Sequence, residues 1–371
     1  MLVISSREPA TRFEIQPVLG YALPDVASFL DRWADRDQSS SGEGDSPSTE
    51  RRLQWLLVEN PLSTVVPARS LCVLDASGVI MGLLLAFPAA LLAGERRLVG
   101  LGSGGFFVEP PARTLGFYLF KSHLKSPGSS FFFSTTCNAN SGALWKALGA
   151  CAVPNSDTEY VLPLRLEVLL PAALAGRTSS ALAAKGARLF GRYANPVLQL
   201  LARKSATLTI EPCRDSEKLV ALFRRHRSAD LITTDRSAAF LQWRYGQSAP
   251  NRPFDLCVFR DKQGHEGWFA LGTIRRGRQG QIRGCVLLDA VWPREAMSFA
   301  DILPAIVRVA ASRADAIYVQ PRPGLDYGDC NRWLVPWRLE APKSFVITPK
   351  GAAPLAVSAL DLVSADGDGA F

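Results

Sequence analysis

The sequence predicts two successive α/β domains, each a mixed, twisted sheet flanked by helices. Three observations predict it. First, Leu53-Gln54-Trp55 recurs as Leu241-Gln242-Trp243, and Leu71-Cys72-Val73 recurs as Leu256-Cys257-Val258. Two matches in the same order at nearly equal offsets point to an internal duplication. Second, each Leu-Cys-Val run precedes a turn with a glycine, Gly78 or Gly264, and then another apolar run. Third, 371 residues with 47% hydrophobic and 20% charged side chains suffice for two domains with cores of their own and exclude a disordered chain.

The elements follow in order. Val26, Phe29, Leu30 and Trp33 share one helical face after Pro24-Asp25. Gln38 to Thr49 is a Ser/Gly/Pro/acid loop, and Ser46-Pro47 caps a second helix that carries Leu53, Leu56 and Leu57. Asn60-Pro61 stops it. Leu71–Leu74 and Val79–Phe87 read as hairpin strands joined at Asp75–Gly78. The apolar run to Ala93, broken by Gly82 and Pro88, reads as strand and exit loop and is too short to span a bilayer. Gly105–Val108 is a strand, Thr114 to about Lys125 a helix, Phe131–Ser134 a strand. Ser141–Leu148 is a helix ended by Gly149. Residues 165–205 are Ala- and Leu-rich, with Arg177, Lys185, Arg188, Arg192, Arg203 and Lys204. They read as a helical connector whose leucine face packs between the domains; the other reading is a basic amphipathic helix lying on an anionic membrane. The expected boundaries are 1–164, the connector 165–205, 206–350 and a tail 351–371.

Lys plus Arg outnumber Asp plus Glu, 42 to 34, for a net charge of +8. That favours an anionic partner: a phosphorylated cofactor, nucleic acid or an acidic membrane surface. Seven cysteines with no C-x-x-C pair argue against a disulfide framework or zinc site and fit a reducing cytosol. His123, His226 and His265 are too scattered for a His-based metal site or a Ser-His-Asp triad. The opening residues Met1–Glu8 lack the charged leader and apolar core of a signal peptide, so a cytoplasmic protein is expected.

The segment from Phe107 to Leu119 reads F-V-E-P-P-A-R-T-L-G-F-Y-L. It resembles the strand–loop–helix signature of the GNAT superfamily of acyl-CoA N-acyltransferases: V-x-P, a few residues, R-x-x-G-x-G/A and a leucine. The stretch Phe133–Ser141, with Trp145 and Gly149-Ala150, is similar to the family's next strand and helix, where an Asn and a small hydroxyl approach the pantetheine arm. The resemblance therefore implies Phe107, Val108, Arg113, Thr114, Leu115, Gly116, Phe117, Asn138 and Ser141 as the coenzyme A contacts. Phe240-Leu241-Gln242-Trp243-Arg244-Tyr245 resembles tandem GNAT proteins associated with cell-surface polysaccharide modification.

The chemistry of the signature stands beside the family name. A loop that opens a helix offers free backbone N–H groups and the positive end of the helix dipole to a diphosphate. The pocket is expected to be built from main-chain amides between Val108 and Phe117. Gly116 permits close backbone approach, Arg113 adds charge-assisted hydrogen bonds, and splayed strands hold the pantetheine amides as an added strand. Two departures stand out. Tyr118 replaces the second small residue, and the second half has Asp289–Glu295 in place of an Arg-x-x-Gly loop. By resemblance, one half of a tandem protein keeps the cofactor, so coenzyme A is expected in the N-terminal half.

Each candidate has a plain structural counterpart. Arg113 and Gly116 also fit a surface arginine and a helix glycine. Gly100–Gly105 matches G-x-G-x-x-G but runs into a strand rather than a helix, so it reads as a flexible turn and not a dinucleotide site. Glu109 and Asp289 end equivalent strands and are candidate proton acceptors, or solvated loop acids. Tyr118 and Tyr327 are candidate proton donors to a thiolate, or ordinary amphipathic tyrosines. Arg275–Gly280 is a basic hairpin tip with no aromatic interleaving for RNA. The expectation is an N-acyltransferase that moves an acyl group, acetyl first, from acyl-CoA to a primary amine, with no metal. An amino sugar is the acceptor the resemblance suggests. Two alternatives stay open: a Fem-like transferase using aminoacyl-tRNA, and a non-catalytic acyl-CoA-binding module.

Overall fold

The computed structural model describes residues 3–4, 13–18, 22–37, 48–66, 69–175, 181–203, 208–250, 254–277, 280–322, 335–339, 342–363 and 366. Strands β1 (Val3–Ile4) and β2 (Phe13–Pro17) precede helices α1 (Leu23–Asp37) and α2 (Thr49–Leu53). Helix α2 widens into a π-helical turn over Gln54–Val58, where Glu59 N–H donates to Gln54 O at 3.0 Å. Strands β3 (Leu71–Leu74), β4 (Ile80–Ala93) and β5 (Arg96–Val108) follow. A 3-10 turn over Pro110–Leu115 leads into α3 (Gly116–His123), then β6 (Phe132–Ser134), α4 (Ala139–Ala147), β7 (Cys151–Ala152) and β8 (Thr158–Pro163). Helices α5 (Leu166–Ala175) and α6 (Ala181–Arg203) join the halves. The second half runs β9 (Thr209–Pro212), α7 (Ser216–His226), β10 (Ile232–Thr234), α8 (Ala238–Tyr245), β11 (Asp255–Arg260), β12 (Glu266–Arg276) and β13 (Ile282–Val291). It ends with α9 (Phe299–Ala310), β14 (Ala316–Val319), β15 (Val335–Arg338), β16 (Phe345–Ile347) and β17 (Leu360–Asp361).

The two sheets repeat each other strand for strand. One runs β2-β3-β4-β5-β6-β16-β7 and the other β9-β11-β12-β13-β14-β8-β15. Each has a single parallel pair along that path, β5–β6 in the first and β13–β14 in the second. The halves also exchange a strand. β8 leaves the first half to lie between β14 and β15, and β16 returns from the second half to lie between β6 and β7. Strands β10 and β17, the latter from the tail, extend the first sheet beside β4. Each sheet thus depends on the other half for its order, which ties the two domains into one body.

The recurrent Leu-Gln-Trp tripeptides meet at the centre of this arrangement. The Trp55 and Trp243 rings stack with centroids 4.5 Å apart and planes 15° apart. Each indole N–H donates to the other tryptophan's backbone carbonyl at 2.9 Å. A reciprocal contact of this kind places both residues on a local two-fold axis between the halves.

The core explains the elements. Val26, Phe29 and Leu30 of α1 are buried on Leu83 and Leu85 of β4. Helices α3 and α4 cover the opposite face, where Phe120 and Trp145 meet Leu84, Ala86 and Leu101. Burying one such aromatic is worth about 3–5 kcal/mol against alanine. The N-cap of α2 is Ser48, whose side chain accepts from Arg51 N–H; Ser46 and Pro47 lie outside the described residues.

Three sequence expectations change. β4 does not end at Phe87 but continues through Pro88 to Ala93, paired with β5 throughout. Pro88 is tolerated because it sits on a gap in β4's other edge, between the last β3 pair at Leu84 and the first β10 pair at Leu91. Gly100–Gly105 is not a flexible turn but mid-strand in β5. A Cβ on Gly102 would meet the Phe87 ring at 2.4 Å, so the glycine makes room for the neighbouring aromatic. Gly105, at φ +52°, forms a bulge: Leu83 pairs Phe107 and Leu85 pairs Gly104, leaving one extra residue on β5. Finally, the α6 side chains Leu182, Leu189 and Phe190 are exposed rather than packed between domains.

Candidate functional site

The expected diphosphate turn has the right topology, but several of its amides are already bonded within the protein. β5 passes through the 3-10 turn directly into α3, so the strand–loop–helix path is present. Glu109 N–H, however, donates to Met81 O at 2.8 Å, and Ala112 N–H to Glu109 O at 2.9 Å. Pro110 and Pro111 have no N–H, and Gly116 N–H is taken by Arg113 O. Of the amides expected to build the cradle between Val108 and Phe117, those of Glu109, Ala112 and Gly116 are therefore already taken. Gly116 serves packing: a Cβ there would meet the Phe106 ring at 3.0 Å. Leu115 and Gly116 are buried, while Arg113, Thr114, Phe117 and Tyr118 share the exposed side of the turn. Phe117 and Tyr118 meet edge to face at 6.0 Å. Phe107 packs on Trp33 of α1 at 5.4 Å, and Val108 faces the α3 side with Leu115 and Leu119. Asn138 and Ser141 form the capping box of α4: Ser141 N–H donates to Asn138 Oδ1 and Asn138 N–H to Ser141 Oγ, both at 3.0 Å.

Beyond the turn, β5 and β6 part company. They pair only at Leu101–Phe132 and Gly102–Phe133. From Ser103 to Val108 the β6-facing edge of β5 has no β6 partner, an edge of the kind that accepts an extended ligand. Ser103, the first residue past the split, is buried and its Oγ lies 2.7 Å from Nε2 of buried His123 on α3. His123 Nδ1 has no hydrogen-bond partner among the described residues. An orphaned buried N–H is rarer than an orphaned acceptor. The favoured tautomer therefore carries its proton on Nε2 and donates it to Ser103, which leaves the serine hydroxyl free to donate along the split.

Burial pushes His123 down to about 3, so it is neutral in the folded chain. Its ordinary value near 6.5 applies after unfolding. The unfolded chain then binds the extra proton below pH 6.5, so this stability is complete above 6.5 and is lost as pH falls toward 3. The wild type should lose about 2 kcal/mol from this group between pH 7 and 5. His123→Gln should remove that share of the slope, read from urea unfolding at both pH values; identical slopes in the two proteins would refute the assignment.

In the second half the equivalent split is filled. β13 and β14 pair from Gly284–Ala316 to Val286–Tyr318, and the bulge falls at Leu288, between the Leu271–Leu287 and Ala270–Asp289 pairs. Arg322 then donates to Ala290 O at 2.9 Å and to both Asp361 oxygens at 2.7 and 2.8 Å. Asp289 is fully buried and bonded to Arg236 at 2.8 Å, while Arg236 also reaches Thr234 O and Asp366 at 2.7 and 3.4 Å. Burial opposes the Arg236 charge, yet Asp289 and Asp366 outweigh it and raise its pKa. Burial raises Asp366, only partly offset by Arg236. Burial would also raise Asp361, but Arg322 and Arg294 hold it below the usual carboxylate range. A carboxylate committed to a buried guanidinium, as Asp289 is, serves the fold before it serves as a proton acceptor.

A cavity of about 240 Å³ lies between the halves, in the gap on β4's edge. Its walls are Asn60, Phe87, Pro88 and Arg97 from one half and Asp235, Phe240, Trp243 and Arg244 from the other, with Asp366 alongside. Asn60 Nδ2 donates to Pro88 O at 3.0 Å, and Arg97 pairs Asp235 across 2.7 Å. The Arg244 guanidinium sits over the Trp55 ring at 5.1 Å. Register links this cavity to the split: Phe87 of β4 pairs Gly102 of β5, which pairs Phe133 of β6. The cavity wall is thus one strand spacing, about 4.8 Å, from the point where β5 and β6 part.

Sequence reasoning missed this cavity apart from Phe240, Trp243 and Arg244. Asp235 and Arg97 are 138 residues apart, and no local pattern joins them. Tyr327 and residues 278–279 of the basic hairpin tip lie outside the described residues. Among the described residues no group of three or more His, Cys, Asp or Glu is arranged to hold a metal, and no helix is long and apolar enough to cross a membrane.

Two equivalent sheets, each with helices on its faces and a parallel pair that parts beside a bulge, make this a tandem GNAT fold. No family model and no curated protein matches the sequence. Among solved structures, the chain is similar to a conserved protein and probable N-acyltransferase from Enterococcus faecalis V583, with TM-score 0.55 and 10% identity. That match covers 92% of this chain and 73% of the other. It is also similar to N-myristoyltransferase from Saccharomyces cerevisiae with bound myristoyl-CoA, with TM-score 0.54, 12% identity and coverage of 92% and 79%. A GCN5-related N-acetyltransferase from Anabaena variabilis ATCC 29413 matches with TM-score 0.53, 12% identity and coverage of 91% and 73%. At these identities the likeness establishes the fold.

Proposed function

We propose that the chain is an acyl-CoA-dependent N-acyltransferase that takes its acyl donor in the N-terminal half and its amine acceptor in the cavity between the halves. The observation that carries this is the register row Phe87–Gly102–Phe133, which sets an open strand split one strand from a cavity of small-molecule size. The second half is the poorer donor site because Arg322 and Asp361 fill its split.

In this reading the pantetheine arm lies along the β5 edge from Ser103 to Val108, with the Ser103 hydroxyl as a donor. With the Glu109, Ala112 and Gly116 amides occupied, the diphosphate is met by the exposed Arg113 and Thr114 side chains. Asp235, in the cavity, is the carboxylate placed to accept the amine proton directly or through water, while Glu109, beside Met81 at the far end of β5, lies outside the cavity lining. An amino sugar is the proposed acceptor class. It rests on the resemblance of Phe240–Tyr245, and Phe240, Trp243 and Arg244 of that segment line the cavity. Acetyl is the proposed acyl group.

Titration calorimetry with coenzyme A and thiol release from acetyl-CoA across an amine panel test the reading together. Binding with amine-dependent thiol release is expected. Binding without release under any amine leaves a binding module, and no binding at all removes the proposal. Ala89 of β4 also lines the cavity, so Ala89→Phe, which fills it, should raise KM for the amine about tenfold or more while leaving coenzyme A binding unchanged.

A further inference from the structure

Helix α6 turns an apolar and basic surface away from the protein. Its inner side is fixed by α5: the backbone of Leu166 and Glu167 comes against Gly191, where a Cβ would sit 2.4 Å from Glu167 N. Asn195 accepts from Leu166 N–H at 2.8 Å and donates to the Glu167 carboxylate. Leu182, Leu189 and Tyr193 fall at i, i+7 and i+11, with Phe190 beside them, on the side opposite Gly191. They are 82, 58, 76 and 68% exposed, in that order. Lys185, Arg188 and Arg192 are exposed along one flank of this stripe, and α6 carries no acidic residue.

The geometry points to α6 as an interfacial helix that docks this protein on an anionic phospholipid bilayer. The apolar stripe supplies buried area in the acyl boundary, and the phenol of Tyr193 suits its polar rim. The three cations on the flank meet phosphate headgroups, consistent with a chain of net charge +8. A second copy is the weaker occupant: pairing two such helices gathers their basic flanks, with no acidic residue on either helix to answer them. The helix lies on the surface rather than crossing it, since no described helix is long and apolar enough to span. The inference is independent of the acyl-transfer reading.

Co-sedimentation of the full chain with vesicles tests it. The vesicles are phosphatidylcholine alone, or equal parts phosphatidylcholine and phosphatidylglycerol. Binding to the anionic vesicles is expected, weakened by salt, with little on the neutral ones. Leu189→Asp with Phe190→Asp should lower that binding at least about tenfold. Lys185→Glu, Arg188→Glu and Arg192→Glu together should abolish the preference for anionic lipid, at about fivefold per residue. Circular dichroism should show all variants folded, because the altered side chains are exposed. Equal binding to both vesicles, no binding, or wild-type binding by the Asp variant overturns the proposal. So does a dimer in sedimentation without vesicles that the Asp variant dissolves, because the stripe then covers a second copy.

Discussion

Arg236→Leu should cost about 3–5 kcal/mol of folding stability, an effect comparable with the whole margin of many domains. Arg236 is the hub of a fully buried charge cluster, bonded to Asp289, Asp366 and the Thr234 carbonyl. Its removal strands two carboxylates in a low-dielectric interior with no described cation placed to replace it. Arg322 and Arg294 are engaged with Asp361. The loss is therefore a penalty on what remains, and neutralising the partners should return much of it. Arg236→Met combined with Asp289→Asn and Asp366→Asn is expected to recover most of the stability, as replaced buried ion clusters often do. Urea midpoints of the wild type, the single and the triple variant decide this. A single variant within about 0.5 kcal/mol of wild type means the cluster does not hold the second half together.

The same cluster bears on the division of labour between the halves. Asp289 sits in β13 directly past the bulge, the place that Phe107 takes in β5, while Glu109 lies just beyond the end of its strand. In the second half this position is filled with internal ion pairs, and Arg322 closes the split next to it. In the first half the split is bordered by a hydroxyl with a neutral imidazole behind it. One copy of the fold has spent its cleft on its own charges, whereas the other keeps a free strand edge.

The repeat was legible because its signals are local. Leu-Gln-Trp and Leu-Cys-Val are short, each sits in an element the apolar pattern already marks, and the structure puts Trp55 directly against Trp243. The strand exchange was not legible, because nothing in Thr158–Pro163 or Phe345–Ile347 states which β-edge it will join. The glycine run was misread for a related reason. Glycine signals a turn when viewed along the chain, but the rings of Phe87 and Phe133 that need the space at Gly102 arrive from other strands. The signature after Val108 showed the path of the backbone and misled on its hydrogen bonds, since a Pro-Pro pair at the start of a helix removes the very donors a diphosphate needs. Asn138 and Ser141 fit a capping box as well as a ligand site, and at three residues' spacing the helix terminus takes them.

The tryptophan pair should behave as one unit. Trp55→Ala and Trp243→Ala are each expected to cost about 3–5 kcal/mol, since each removes a large buried ring and leaves a cavity. Because either change also destroys the stack and removes that residue's own indole hydrogen bond to the other backbone, the double variant should cost less than the sum, with a coupling of about 1–3 kcal/mol. Trp55→Phe and Trp243→Phe keep a ring and lose one indole N–H each, so each should cost closer to 1 kcal/mol. The site adds a functional consequence. Trp243 lines the cavity between the halves, and Trp55 fixes its position. On the proposed acyl-transfer reading, loosening Trp55 should therefore weaken acceptor use while the β5 edge, held by β4, still binds the acyl donor. Urea unfolding of the four proteins in the cycle gives the coupling. Strictly additive losses would show that the two rings are buried side by side without holding the halves in register.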